Sequence, residues 1–170
     1  QEFNLLANKA QLDIFDGYFH DGKMAYIKPT KNKLGEAFDE LGMVKEKLHP
    51  FLNSKIITQD ANDATLNISP DAYSIDILLK DGIEVTELTK KEVAYTENNP
   101  LTKATTNRMV YVREQHDGTN NIVTIYPTPT VSTNFNLHYY KKPEDPKWAY
   151  VIVNGKALYN TNLSVNFELH

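Results

Sequence analysis

The stretch Arg108–Pro143, RMVYVREQHDGTNNIVTIYPTPTVSTNFNLHYYKKP, decides the fold class of this chain. Three runs within it alternate apolar and polar residues, a pattern typical of strands that have one face on a core and the other in water. In the third run, Phe135, Leu137 and Tyr139 fall on one side and polar neighbours fall on the other. A slip by one residue would expose the whole apolar set, so the register of this strand is well specified.

The links between the three runs are turn sequences. Asp117-Gly118 predicts a turn between the first two runs. Pro127 and Pro129 interrupt pairing between the second and third runs, because proline has no N–H group to donate to a ladder. The whole stretch is therefore predicted to form an antiparallel meander.

On the C-terminal side, a charged and proline-rich connection leads to WAYVIV, Asn154-Gly155 and KALYN. Asn-Gly tolerates the positive φ angles of a two-residue type I′ turn, so this segment predicts a β-hairpin. The final run places Leu163, Val165 and Phe167 on one side. It predicts one more strand, with these three side chains pointing into the β core.

On the N-terminal side of the meander, ATLNIS and YSIDILL are predicted strands, and Asp81-Gly82 is a predicted turn. Thr89-x-x-Glu92 is a capping-box pattern that opens a short helix, which the sequence Asn98–Pro100 ends. Further upstream, apolar residues recur at helical spacing in Glu2–Phe19 and again in Lys33–His49, with polar links between them. The second helix is expected to stop at His49, because Pro50 disfavours helical geometry in the residue before it.

The change from helical spacing to period 2 near Pro50 defines the fold class. We predict an α+β protein in which an N-terminal amphipathic helix pair precedes a mainly antiparallel β-sheet or sandwich domain. Residues 1–52 form the helical pair, and residues 53–170 form the β-rich domain. The helices are expected to pack on that domain or on neighbouring subunits. The chain opens without Met and ends inside an alternating run, so we expect it to be truncated at both ends.

Composition excludes several classes of protein. With 41% hydrophobic and 24% charged residues, the 170-residue chain is suited to burying one core. No apolar run approaches the ~20 residues that span a bilayer. The net charge of −4, with no dense basic run, argues against a surface that grips nucleic acid. The absence of Cys excludes disulfides, thiolate metal sites and Cys nucleophiles.

Two acidic clusters are candidate metal sites. Asp13, Asp16 and His20, with Asp21 beside them, have helical spacing, but charged runs on a helix are usually a solvated face. The sequence from Asp60 begins like a calcium loop and then has Thr65 where glycine is required.

Catalytic motifs are absent as well: the sequence contains no HExxH, GxSxG, GxxxxGK[ST] or GxGxxG. The sequence therefore nominates no catalytic, cofactor-binding or metal-binding residue. A nucleophile and base brought together from distant Ser and His residues stays open.

Aromatic residues supply the candidates for an interaction surface. Exposed aromatics anchor interfaces or stack on sugars, although many simply fit a pleated, half-buried surface. Trp148 follows the proline-rich connection and is the better interface candidate. Tyr140 lies on the outward side of the third run, and Lys45 and Lys47 lie on the second helix. These four residues are the predicted partner interface.

Three phrases carry a family resemblance. Two helices followed by Pro70-Asp71-Ala72-Tyr73, NIVTIYPTP (121–129) and LHYYKKP (137–143) resemble the head-to-tail adaptor, or tail tubular, proteins of short-tailed phages. The opening EFNLLANKAQLDIFDGYF is similar to the neck proteins of crAss-like phages. The chain departs from this pattern by stopping at LSVNFELH, where such proteins continue into further helical sequence.

The resemblance implies a non-enzymatic structural protein of the virion. Such a protein forms a homo-oligomeric ring in the neck between the portal and the tail and extends the DNA channel. Its partners are the portal protein and the next ring or tail component, while double-stranded DNA passes without specific binding. It uses no cofactor and no membrane, and it is assembled in the cytoplasm of the bacterial host. The alternative is a β-sandwich glycan-binding or adhesin module that stacks sugars on Trp148, Tyr139 or Tyr140, which accounts less well for the two helices.

Overall fold

The computed structural model describes residues 2–27, 42–116 and 121–169. The chain divides into two compact units. We call Gln1–Phe51 with Lys142–His170 the terminal unit, and Leu52–Lys141 the sandwich unit. The helical segments are α1 (Glu2–Ile27), α2 (residues 42–48), the 3₁₀ turn His49–Phe51 and α3 (Lys90–Glu97). The strands are β1 (Leu52–Gln59), β2 (Thr65–Ile68), β3 (Ala72–Lys80), β4 (Ile83–Glu84), β5 (Thr86–Glu87), β6 (Val110–His116), β7 (Asn121–Tyr126), β8 (Thr133–Lys141), β9 (Tyr150–Val153) and β10 (Lys156–Tyr159).

Two four-stranded sheets form the sandwich unit, with strand orders β1-β8-β3-β4 and β2-β7-β6-β5. Their described strand pairs are antiparallel, apart from the parallel pair β5 and β6. Both sheets contribute side chains to one buried core, so they pack face to face. The core consists of Leu66, Ile68, Ala72, Leu78, Val85, Met109, Tyr111, Val123, Ile125, Phe135, Leu137 and Tyr139. The predicted α+β class is confirmed.

The predicted meander is correct in its first half and wrong in its second. β6 and β7 pair as antiparallel neighbours, but β8 lies in the other sheet between β1 and β3. The link that contains Pro127 and Pro129 carries the chain from one sheet to the other. Proline suits such a link because it has no N–H group to donate to a neighbouring strand. The register of β8 is as predicted, because Phe135, Leu137 and Tyr139 are all buried.

The short helix α3 forms where the capping box predicts it. Thr89 Oγ1 accepts from the Glu92 N–H at 3.3 Å, and the Glu92 carboxylate accepts from the Thr89 N–H at 2.7 Å. Val93 packs with Val110 and Val112 in a second cluster, on the side of β6 opposite Tyr111. The helix therefore covers the outer face of its sheet.

Two of the three predicted turns have the expected backbone. Asp81-Gly82 joins β3 to β4 with φ of +50° and +80°, and Asn154-Gly155 joins β9 to β10 with φ of +51° and +75°. These positive angles are the reason that Asn, Asp and Gly occupy the turns. The predicted turn at Asp117-Gly118 lies outside the described residues.

The first helix is longer than predicted. The sequence places its end at Phe19, before a polar link, whereas α1 continues to Ile27. Gly22 sits inside the helix, and a Cβ at that position would lie 3.3 Å from Val44 Cγ1, so its lack of a side chain permits a close approach to α2. The second predicted helix corresponds to α2, which ends at residue 48, before Pro50, as expected. Its predicted start at Lys33 lies outside the described residues.

The C-terminal run differs from its prediction. Leu163, Val165 and Phe167 are partly exposed and do not enter the β core. Their segment belongs to the terminal unit, together with the rest of Lys142–His170, whereas the prediction placed it in the β-rich domain. Val165 forms only an isolated two-bond bridge with Lys147. Side-chain bonds of Ser164 to neighbouring backbone groups take the place of a strand ladder.

Candidate interaction surface

Two amide side chains of α1 hold the C-terminal segment against this helix by hydrogen bonds, within the terminal unit. Asn4 Oδ1 accepts from the Trp148 backbone N–H at 2.8 Å, and Asn4 Nδ2 donates to the Trp148 carbonyl at 3.2 Å. Gln11 Nε2 donates to the Glu144 carbonyl at 2.7 Å, and Gln11 Oε1 accepts from the Glu168 N–H at 3.2 Å. Each amide satisfies a backbone donor and a backbone acceptor, so both fix the position of the segment along the helix.

The apolar stripe of α1 divides into two rows. The first row is buried and contains Ala7, Gln11 and Phe15, with Phe15 packed edge-on against Phe51 at 5.0 Å between ring centroids. The second row is solvent-facing and we call it the exposed row. It consists of Phe3, Leu6, Ala10 and Ile14. Three and four residues separate its members, so they line one side of the helix.

The hairpin of β9 and β10 is anchored at its base. The Asn160 N–H donates to the Ala149 carbonyl at 2.9 Å, and Ser164 Oγ accepts from the Ala149 N–H at 3.0 Å and donates to the Asn160 carbonyl at 2.7 Å. The Lys147 N–H donates to the Val165 carbonyl at 2.9 Å. These bonds hold the base of the hairpin in place within the terminal unit.

Beyond this base, every residue of both hairpin strands is exposed. The register pairs Tyr150 with Tyr159 and Val151 with Leu158, and successive side chains point to opposite faces. One face therefore carries Tyr150 and Ile152, and the other carries Val151 and Val153. The exposed fractions are 69% for Ile152 and 46–52% for the other large apolar side chains. Both faces of the hairpin are thus apolar and open to solvent.

A shallow groove of about 110 Å³ lies beside the hairpin. Its apolar walls come from Phe3, Trp148, Tyr159 and Phe167. The Trp148 ring also lies against Tyr150, with 5.3 Å between the ring centroids. The groove is therefore continuous with one face of the hairpin and with the start of the exposed row.

The four predicted interface residues fall into both units. Trp148 is half exposed and lies at the groove, as its sequence position indicates. Lys45 and Lys47 are exposed on α2, and Lys47 Nζ lies over the Tyr18 ring at 5.1 Å from the centroid. Tyr140 belongs to the sandwich unit, where it is half-buried on β8, and burial raises the pKa of its hydroxyl with a further contribution from Asp76. Lys45, Lys47 and Trp148 thus share a unit, while Tyr140 belongs to the other one.

Sequence reasoning did not single out the faces of the hairpin or the exposed row. A usable signal was present, because YVIV and ALY are unbroken apolar runs and show no alternation. Such runs predict strands that are covered on both faces. In this hairpin the described residues leave 46–69% of each large apolar side chain exposed, on both faces.

The sandwich unit contains a separate cavity of about 200 Å³, beside the starts of β3 and β7. Its charged wall residues are already paired: Arg113 Nε lies 3.0 Å from Glu87, and Glu114 lies 3.0 Å from Lys90 Nζ. Ligand sites usually measure about 300–1,000 Å³ and present polar groups that converge on the ligand. The cavity is a weaker candidate than the terminal unit.

Beside this cavity, the Glu87 carboxylate also accepts a hydrogen bond from the Tyr111 hydroxyl at 3.0 Å. Burial, assisted by this carboxylate, raises the pKa of Tyr111 to about 12. The hydroxyl therefore stays protonated at neutral pH and acts as a structural donor.

Neither acidic cluster has the geometry of a metal site. His20 and Asp21 form an exposed contact of 3.6 Å on α1. Asp63 Oδ1 accepts from the Thr65 N–H and hydroxyl, and these bonds lower the pKa of Asp63 and close a local turn. Across residues 2–27, 42–116 and 121–169, no three His, Asp or Glu side chains gather as a metal site.

No helix within the described ranges combines the length and apolar character needed to cross a membrane. Comparison of the sequence with models of known protein families, and with curated proteins, finds no match.

Proposed function

We propose that this chain is a non-enzymatic structural subunit of a phage neck, which forms a ring between portal and tail and extends the DNA channel. The observation that carries the proposal is the apolar surface of the terminal unit. The hairpin, the groove and the exposed row present large apolar side chains to solvent in one unit. Contiguous exposed apolar surface of this kind marks sites of protein association.

The family resemblance supports the choice of assembly. The phrase NIVTIYPTP corresponds to β7 and the start of the link between the sheets. The phrase LHYYKKP covers the end of β8 and the exit from the sandwich unit. The resembling residues thus coincide with the points where the chain changes sheet and changes unit.

The proposed partners are further copies of the chain, the portal protein and the next ring or tail component, in virions assembled in the bacterial cytoplasm. The net charge of −4 is compatible with a channel subunit that lets double-stranded DNA pass without binding it specifically.

The experiment that tests this role is a phage in which the gene is disabled. We expect heads that package DNA but fail to retain it or to attach tails, seen by electron microscopy and by the nuclease sensitivity of the DNA. A plasmid copy of the gene restores infectious particles. Normal, infectious particles made without the gene would overturn the proposal.

A second test uses the predicted interface on α2. Lys45 is exposed and has no role in the core, so Lys45→Glu is expected to leave the thermal unfolding temperature nearly unchanged. If α2 faces a neighbour in the ring, the same change weakens ring formation, measured by native mass spectrometry with the portal protein present. Lys47→Glu is a poorer probe, because it also removes the contact with the Tyr18 ring.

The second candidate function, a glycan-binding module, is favoured by one observation. Trp148 and Tyr150 are neighbouring aromatic rings that are about half exposed at the edge of the groove. Of the other two predicted stacking residues, Tyr139 is only 5% exposed and is unsuited to this role, and Tyr140 is half-buried on β8. A glycan array that shows binding by the wild type and loss of binding in Trp148→Ala would favour the module over the ring subunit.

A further inference from the structure

We propose that the β9–β10 hairpin of one copy docks on the exposed row of α1 of a second copy. This inference deepens the proposed function, since it names the surfaces through which copies of the chain meet. It shares with that function one requirement, that copies of the chain associate with each other. The proposal joins two apolar surfaces of the terminal unit that the described chain leaves open.

The hairpin requires a partner on physical grounds. A two-stranded hairpin is marginally stable in water unless it packs against another element. Here the register is well defined and the base is anchored by Ser164 and Lys147, yet the side chains of both strands are exposed. Association on one face would supply the missing packing and shield Tyr150, Ile152 and Tyr159 from water.

The exposed row supplies a surface of matching character. Leu6 is 66% exposed, Phe3 is 60% exposed and Ile14 is 49% exposed, although the neighbouring row of α1 is buried. The helix is held by Asn4 and Gln11, so the row is a fixed surface. A helix side with aliphatic and aromatic residues at three-and-four spacing is a common docking surface for apolar side chains.

The available apolar area suits a weak contact that is repeated between copies. A large aromatic side chain presents roughly 150–250 Å² when fully accessible, and aliphatic side chains somewhat less. Applied to the exposed fractions of Tyr150, Ile152 and Tyr159 and of the exposed row, this gives about 600 Å² of apolar area for the two surfaces together, which is the scale of a weak interface. The groove beside Trp148 adds to it.

Charge favours the same pairing. Lys156 is the one charged residue of the sequence YVIVNGKALY, and it follows the hairpin turn directly. On α1, Glu2 and Asp13 lie beside the exposed row at four and seven residues from Leu6. A lysine at the tip of the hairpin would meet a carboxylate on the helix of the neighbour.

In the proposed contact the hairpin of each copy docks on the exposed row of the next copy, so the contact is head-to-tail. Heterologous contacts of this kind generate closed rings when the rotation between copies closes, and filaments when it does not. Each copy has one hairpin and one exposed row, so the contact is able to repeat. A symmetric contact between two hairpins would instead stop at a dimer.

The test uses the full chain and two substitutions at exposed positions, Ile152→Glu on the hairpin and Leu6→Glu on the exposed row. Each is expected to weaken self-association at least about 30-fold, measured by native mass spectrometry and sedimentation across a concentration series. Leu101→Glu is the matched control, because Leu101 is 86% exposed but lies in the sandwich unit. Circular dichroism checks that all three variants are folded.

Mixing the two variants gives the sharpest result. Ile152→Glu retains an intact row and Leu6→Glu retains an intact hairpin, so the mixture is expected to form heterodimers that grow no further. Charge exchange provides an independent check: Lys156→Glu weakens association, and Asp13→Lys in the same chain restores part of it. Association by Leu6→Glu alone at wild-type strength would indicate a symmetric hairpin contact and overturn the proposal.

The result is separable from the fate of the proposed function. A wild-type chain that stays monomeric at high concentration, or that assembles equally well with both variants, overturns the docking proposal and leaves the phage experiment untouched. If the variants lose association as expected but phages lacking the gene are normal, the docking contact stands and the neck function fails.

Discussion

At the scale of single residues, Gln11 shows how a polar side chain comes to occupy a buried helix position. It lies between Ala7 and Phe15 in the buried row and is 2% exposed. An unpaired amide would cost about 1–3 kcal/mol at such a site, but its oxygen and nitrogen bond to the backbone at Glu168 and Glu144. Gln11 therefore holds the C-terminal segment on α1 through hydrogen bonds. The helical spacing of apolar residues does not reveal such a role for a polar residue.

Phe135 is the residue at which the register of β8 is tested. Its ring is fully buried between the two sheets, so Phe135→Ala is expected to destabilise the protein by about 3–5 kcal/mol. The control is Asn136→Ala, since Asn136 is exposed on the opposite face and should change the free energy of unfolding by less than about 0.5 kcal/mol. Asn134 is a poorer control because it accepts a hydrogen bond from Thr58. Equal losses in urea denaturation would contradict the register.

Tyr111 predicts a loss of stability in alkali. Burial raises its pKa to about 12 in the folded protein, against 10.0 for the free side chain. The folded state thus favours the protonated form, so this contribution is fully present below pH 10 and is lost as the pH rises toward 12. Spectrophotometric titration should show a tyrosine that ionises late, and Tyr111→Phe should remove that step. A Tyr111 that titrates at its ordinary pKa of 10.0 would show that the hydroxyl is not buried.

At the scale of elements, the N-terminus of α3 depends on its capping box. Thr89 is expected to contribute about 1 kcal/mol, because Thr89→Ala leaves the Glu92 N–H in the first turn without its side-chain acceptor. Thr89→Ser, which retains the hydroxyl, is the matched control and should keep most of the stability. The difference is measured by thermal unfolding and by amide exchange in residues 90–93. An alanine variant as stable as the serine variant would show that packing of Val93 alone holds the helix.

Elements specified by local chemistry were predictable. The Asn-Gly hairpin, the Asp-Gly turn, the capped helix α3 and the inward face of β8 all follow from neighbouring residues. The sheet to which β8 belongs was not predictable, because alternation identifies a face of a strand and does not identify its neighbours. The polar residues near Gly22 were interpreted as a link between helices. The spacing of apolar residues along the sequence does not show that Gly22 allows a close contact between α1 and α2.

The candidate site was predictable only in part. Trp148 was identified from its position after a proline-rich connection, and it does line the groove. The partnership of Asn4 with Trp148 joins residues far apart in sequence, and no local pattern signals such a pair. The same distance separates the exposed row from the hairpin. A surface made by both chain ends needs the tertiary structure to be found.

At the scale of the whole molecule, the two units differ in where their apolar residues lie. In the sandwich unit the large apolar side chains are concentrated in two buried clusters. In the terminal unit many of them are exposed on the hairpin, the C-terminal run and α1. We interpret this contrast as a division between a unit that folds by its own packing and a unit whose surface is completed by a partner.

This division predicts the behaviour of the sandwich unit alone. Both clusters and both four-stranded sheets lie entirely within residues 52–141, so this fragment is expected to fold and to unfold cooperatively. It lacks the hairpin and the exposed row, and it should therefore stay monomeric at concentrations where the full chain associates. Sedimentation and thermal unfolding measure the two properties, with the fragment carrying Phe135→Ala as the destabilised control.

The two ways in which this prediction can fail have different meanings. A fragment that is unfolded would show that the terminal unit contributes to the stability of the sandwich core, although none of that unit's described residues belongs to the two clusters. A folded fragment that associates as strongly as the full chain would instead place the assembly surface on the sandwich. In that case the exposed edge strand β1, with Ile56 at 67% exposure, would become the first surface to test by substitution, because an edge strand is able to pair with another chain.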